Sequence, residues 1–226
     1  MNISNMGGAI EHWLGFQDKI GRSFMMNEDA LKYPLADYLV NEGNIDVGTI
    51  RLEHPHPNFS TRQVDLAIID KENKKINNIF ELKLAKPTTR DKTEKERIFN
   101  DLMRLYLASL ATTSKCYFII AGKAKDFQYS FRGFEATKEN SYKKNVFYKK
   151  WFAFNSKVEQ TTTFDVLAEN DQNYQRIYQE FLTEYSEDKY QGTTPLQLPN
   201  QITTTCEFVT ADSNQLPYMA GIWSIS

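Results

Sequence analysis

Two β-like runs, residues 64–69 and 76–84, lie either side of a polar turn at residues 70–75. Short runs rich in Val, Ile and Phe, separated by turn-forming residues, predict a hairpin. Each run is apolar except for isolated charges: Asp65 in the first, Glu81 and Lys83 in the second. Side chains alternate faces along a strand. Val64, Leu66 and Ile68 are therefore expected on one face, and Asp65 on the other. In the second run Phe80, Leu82 and Leu84 share a face, and Glu81 and Lys83 point together to the opposite one. Pairing the two strands brings Asp65, Glu81 and Lys83 to one spot. A charge on an apolar strand is costly to bury without partners. A solvated edge strand would show a regular polar face, and the first run is too apolar for that.

The rest of the 226-residue chain is read around this hairpin. Residues 9–24 predict a helix with an apolar stripe of Ile10, Trp13, Leu14 and Ile20. A second helix runs from an Asn27 cap to about Val40, with Pro34 forcing a kink or a late start. Residues 46–53 suggest a strand that His54-Pro55-His56-Pro57 breaks. Residues 92–111 predict a helix with Ile98, Leu102, Leu105 and Leu110 as its core face. Residues 117–121 form a short strand. Residues 127–134 and 146–154 are expected to be extended, 161–167 a strand, 174–185 a helix, 186–201 a polar loop, and 202–209 and 216–225 strands. The fold class is α/β (α+β): a central mixed sheet flanked by helices. One domain is expected over 1–226, with a core at about 9–122 and a less regular extension at 123–226.

Charge is distributed unevenly. The chain carries a net −2, but residues 1–82 hold 8 basic and 12 acidic groups, 83–150 hold 16 and 7, and 151–226 hold 3 and 10. The basic middle starts at Lys83 and suits a phosphate-binding face. Lys143, Lys144, Lys149 and Lys150, interleaved with Tyr142, Phe147, Tyr148 and Trp151, form a second candidate patch. Cys116 and Cys206 lie among β-forming neighbours and read as buried thiols. No run approaches the roughly 20 apolar residues of a membrane span, and no secretory leader is visible, so a cytoplasmic location without membrane attachment is expected.

Paired carboxylates suit a hard divalent cation such as Mg²⁺. A lysine two residues from one of them can orient a water and offset developing negative charge. Asp65 followed by Glu81-Leu82-Lys83 resembles the PD-(D/E)XK nuclease superfamily, over roughly residues 28–121. The position before the aspartate, often proline there, is Val64. The resemblance implies the restriction-endonuclease-like αβββαβ core and Mg²⁺-dependent hydrolysis of phosphodiesters, with Mn²⁺ able to substitute. Asp65, Glu81 and the Leu82 carbonyl would bind the metal, and Lys83 would position or activate water. A glutamate on the first core helix would complete the site. Glu28 is the choice, with Glu11 and Glu42 as rivals. The expected substrate is DNA, cut to a 5′-phosphate and a 3′-hydroxyl in bacterial defence, restriction or repair. A homodimer or a defence-system partner protein would fit such a role. A binding or assembly module of the same fold is the rival reading. Arg62, Lys86, Arg90 and Arg104 are candidates for contacting the nucleic acid, and Asn100 shares a helix face with Arg104.

Overall fold

A computed structural model describes residues 2–86, 92–127, 157–166, 172–185, 190–191, 196, 198–210 and 217–226. The elements in chain order are α1 (Ile3–Lys19), α2 (Lys32–Asn41), β1 (Ile50–His56), β2 (Phe59–Ile69), β3 (Ile76–Ala85), α3 (Lys92–Thr112), β4 (Lys115–Lys123), α4 (Ala124–Phe127), β5 (Thr161–Asp165), α5 (Gln172–Glu184), β6 (Gln201–Val209) and β7 (Tyr218–Ile225). The strands form one seven-stranded sheet in the order β1-β2-β3-β4-β7-β6-β5. Among the described strands only β3–β4 is parallel, and helix α3 makes the crossover that a parallel pair requires. The chain is thus α+β, with a mixed sheet between helices.

Both faces of the sheet are covered. On one face Leu66, Ile68, Phe80, Leu82, Tyr117 and Ile119 pack against Met6, Ile10 and Leu14 of α1 and Leu35 and Leu39 of α2. On the other, Ala67, Ile79, Ala85, Phe118 and Ile120 pack against Ile98, Phe99, Leu102 and Leu105 of α3 and against Phe181 of α5. Val64 departs from the expected face and joins the α3-side cluster with Phe59. Glu81 and Lys83 meet Arg104 and Asp101 of α3, and Asp65 meets Lys32 of α2, so none of the three faces open solvent.

Several boundaries differ from expectation for local reasons. Helix α1 starts early because the Asn2 side chain accepts from the Ser4 and Asn5 N–H groups at 3.1 and 3.4 Å. It ends before Ile20, which is exposed. Asn27 caps a short 3₁₀ turn by accepting from Ala30 N at 2.8 Å, and α2 proper begins at Lys32. Pro34 thus falls in the first turn, where its missing N–H breaks no helical bond. The His-Pro-His stretch does not break β1, which runs to His56 with Pro55 paired to Gln63. β1 is an edge strand, and an edge tolerates proline. Leu110, expected in the core of α3, is 62% exposed, because the packed stripe ends at Ala108. Cys116 and Cys206 are buried free thiols, and burial pushes Cys116 up to about 12. The expected extended segments at 128–134 and 146–154, and the lysine–aromatic patch at 142–151, lie outside the described residues.

Candidate active site

The site forms where β2 and β3 separate. Their ladder pairs Ile68 with Asn78, Ala67 with Ile79 and Leu66 with Phe80. One step further, side chains replace the ladder: Leu82 N–H donates to Asp65 Oδ2 at 2.7 Å, and Leu84 N–H donates to Glu28 Oε2 at 3.4 Å. Buried backbone donors require partners, and here two carboxylates provide them. β3 meanwhile stays paired with β4 through Ala85–Gly122, so the gap opens on the β2 side only.

Three cations interleave with the carboxylates. Lys83 Nζ lies 3.0 Å from Glu28 Oε1 and 3.1 Å from Asp101 Oδ2. Arg104 Nη2 lies 2.9 Å from Glu81 Oε1 and 2.5 Å from Asp101 Oδ1. Lys32 Nζ lies 3.4 Å from Asp65 Oδ1, 3.2 Å from Glu53 and 2.9 Å from Asp29. Asp101 therefore bridges the β3 lysine and the α3 arginine. Glu81, Lys83 and Asp101 are all buried, so these pairs act in a medium of low effective dielectric.

The electrostatics follow from that crowding. Burial, then repulsion from Asp101, holds the Glu81 carboxyl well above its ordinary range, against the pull of Arg104. Asp65 is also raised, chiefly by burial, with the Leu82 N–H and Lys32 opposing. Burial works against the charge on Lys83, but Asp101 and Glu28 outweigh it and raise its pKa. Lys83 is thus an ammonium at neutral pH. In this state it can donate to a water or an oxyanion but cannot abstract a proton. His56 is buried below the cluster. Its Nδ1 accepts from Asn58 N–H at 3.1 Å, so Nε2 carries the proton given to the Arg104 carbonyl, 3.1 Å away. Burial lowers its pKa to about 3, so it is neutral and ties α3 to β1.

Asp65, Glu81, Lys83 and Glu28 lie in one cluster of charged side chains, with Glu28 in the turn before α2 and not on a helix. The rivals of Glu28 lie elsewhere: Glu11 accepts from Thr210 Oγ1 at 2.9 Å, and Glu42 is exposed at the end of α2. Arg104 sits within the carboxylate cluster instead of on an outer surface. Arg62 is half-buried, 5.1 Å from the centre of the Tyr185 ring. Lys86 lines a cavity of about 260 Å³ at the ends of β3 and β4, with Lys123, Asp126, Ser23 and Met26. Arg90 lies outside the described residues. The Asn100 side-chain oxygen is buried without a hydrogen bond.

Sequence reasoning missed Asp101 and Lys32 as members of the cluster, although each carried a signal. Asp101 falls on the Ile98, Leu102, Leu105 stripe, and Lys32 precedes Leu35 and Leu39 at i, i+3, i+7. A charge inside a core stripe is a buried charge, and a buried charge needs partners.

The donor set suits a divalent cation. Four carboxylates (Glu28, Asp65, Glu81 and Asp101) outnumber the three cations that touch them, and burial raises both Glu81 and Asp65. A strand residue's C=O leaves on the same side as its N–H, so the Leu82 carbonyl faces the gap that Asp65 lines. Among the described residues no three His, Cys, Asp or Glu side chains gather closely enough to hold an ion by themselves. Mg²⁺ usually needs only one or two protein carboxylates, with waters completing its shell. Asp65, Glu81 and the Leu82 carbonyl are the groups that could supply such ligands.

No family model, no curated protein and no solved structure matches the chain. Among the described residues no helix is long and apolar enough to cross a membrane.

Proposed function

We propose that this protein is a Mg²⁺-dependent endonuclease of the PD-(D/E)XK superfamily, with a restriction-endonuclease-like fold and DNA as substrate, acting in defence, restriction or repair. The observation that supports this reading is the meeting of Asp65, Glu81, Lys83 and Glu28 at the β2–β3 gap, beside Leu82. Asp65, Glu81 and the Leu82 carbonyl would hold the ion, which would supply Lewis acidity toward a phosphoryl oxygen. Lys83, kept charged by Asp101 and Glu28, orients the attacking water and offsets charge building up on the phosphate. Glu28 fixes the Lys83 side chain. Lys86 and Lys123, at the neighbouring cavity, hold backbone phosphates.

The test is plasmid cleavage in Mg²⁺, in Mn²⁺ and in EDTA, with Asp65→Ala and Lys83→Ala. Cleavage is expected only with metal, and each variant is expected to lose about 100-fold or more. Cutting by either variant at the wild-type rate overturns the assignment.

A second reading is favoured by one observation: Arg104 and Lys32 already occupy the carboxylates that the ion would use. On that reading the protein is an effector that opens when a partner or signal draws these cations away. Cleavage by the isolated chain at full rate would refute it.

A further inference from the structure

We propose that Lys32 is a positioning residue of this site, whose ammonium holds Asp65 in place and competes with a divalent ion for that carboxylate. The inference rests on the metal-dependent reading of Asp65 and Glu81.

The position of Lys32 is unusual. It lies on the packed stripe of α2 with Leu35 and Leu39, yet it carries a charge, and its side chain is only 7% exposed. Lysines are almost never buried unless paired. Its three partners come from three places: Asp29 from the turn before α2, Glu53 from β1 and Asp65 from β2.

Asp65 is held from two sides as a result. Oδ2 takes the Leu82 N–H at 2.7 Å, and Oδ1 faces Lys32 at 3.4 Å. One contact comes from the strand carrying Glu81 and Lys83, the other from the helix on the opposite side of the sheet from α3. The rotamer of Asp65 is thus set before any ion arrives.

Glu53 shows that the arrangement is enforced. The β1–β2 register pairs Leu52 with Leu66 and His54 with Val64, so Glu53 lies opposite Asp65. Its φ is +50°, a left-handed conformation that costs a residue with a Cβ and persists only where the surroundings demand it. With that backbone its carboxylate reaches Lys32, which leaves Lys32 shared among three acids.

Two consequences of opposite sign follow. The ammonium repels an approaching divalent ion and draws on an oxygen that the ion needs, so Lys32 weakens metal binding. It also keeps Asp65 aimed, with Oδ1 toward Lys32 and Oδ2 on the Leu82 N–H, so it supports the reaction once the ion is bound. A residue that served packing alone would affect both in the same direction.

The experiment is calorimetric titration of the full chain with Mn²⁺, alongside plasmid cleavage at saturating Mn²⁺, for wild type, Lys32→Met and Lys32→Arg. Lys32→Met is expected to bind Mn²⁺ about tenfold more tightly or better, while its cleavage falls about tenfold or more. Lys32→Arg is expected to stay within a few-fold of wild type in both. Should Lys32→Met fail to fold by circular dichroism, Lys32→Gln is read in the same way. Binding by the charge-removed variant no tighter than wild type overturns the proposal and leaves the nuclease reading standing. Binding by that variant where wild type binds none overturns the wild-type metal centre and supports the competition by Lys32. Binding by neither overturns both.

Discussion

Replacing Glu81 by Gln removes a carboxylate that the fold strains to hold, and the size of that strain depends on pH. Glu81 is buried, repelled by Asp101 and Asp65, and pulled by Arg104 and Lys83. The net result is a pKa raised well above 4.5. Above pH 4.5 the unfolded chain releases this proton while the folded chain retains it. The folded state then binds more protons, and stability falls as pH rises, by up to about 1.4 kcal/mol per pH unit. Below 4.5 both states are protonated and the contribution vanishes. Above the raised pKa the penalty is constant. Gln cannot ionise, so Glu81→Gln escapes the slope. Arg104 is not orphaned in the variant, because Asp101 still lies 2.5 Å away. Any weakening of its bond to residue 81 is a fixed offset and leaves the slope unchanged. Urea unfolding in EDTA, followed by far-UV circular dichroism from pH 4 to 8, reads the difference directly. The stability of the variant relative to wild type should climb from pH 4.5 upward and then level off. Saturating Mn²⁺, about 100 times its Kd, should stabilise wild type by about 2.7 kcal/mol and the variant by much less. A pH-independent difference, or a wild type that gains on the variant as pH rises, would refute the reasoning.

Asp101→Asn removes the charge shared by Lys83 and Arg104. Cleavage should fall about 10- to 100-fold, as for groups that orient primary ligands, with Mn²⁺ affinity measured in parallel to separate binding from turnover. His56→Phe deletes the bond to the Arg104 carbonyl and should lower unfolding free energy by about 1–2 kcal/mol. With a folded pKa near 3, the histidine stays neutral at pH 5 while the unfolded one takes up a proton there, so wild type loses about 2 kcal/mol between pH 7 and pH 5 that the variant does not, and the deficit of the variant should shrink or reverse at pH 5. Gly122→Ala places a Cβ 2.5 Å from the Ala85 carbonyl oxygen. Because the obstacle is backbone, β3 and β4 must part, at a cost of about 1–3 kcal/mol and a Tm lower by about 2–4 °C per kcal/mol.

The hairpin shows what made part of the site legible. Its period-2 alternation put Asp65, Glu81 and Lys83 on one side without any knowledge of the neighbours, because side-chain direction in a strand is a local property. Glu28 was harder. It sits in a turn, 55 residues from Lys83, and reaches the site only because the apolar face of α2 meets the sheet. His54-Pro55-His56-Pro57 reads locally as a strand terminator, yet β1 runs to His56, because a proline's tolerance depends on whether the strand is an edge. That property belongs to the sheet order and not to the sequence.

Asp101 and Lys32 mark the boundary between what sequence alone determined and what only the tertiary structure decided. The residues of the hairpin, their spacing and their alternation specified a strand pair with three charges converging on one face. Nothing local said that this face would be roofed by α3, that Asp101 would join Lys83 to Arg104, or that Lys32 would reach Asp65 from the far helix. Those contacts span tens of residues: the Lys83–Asp101 contact depends on the crossover helix between the parallel strands β3 and β4, and the Lys32–Asp65 contact on the packing of α2 against the sheet. Strand alternation is a property of successive residues. Burial, and with it the raised carboxyls and the cations that answer them, is a property of what packs on top.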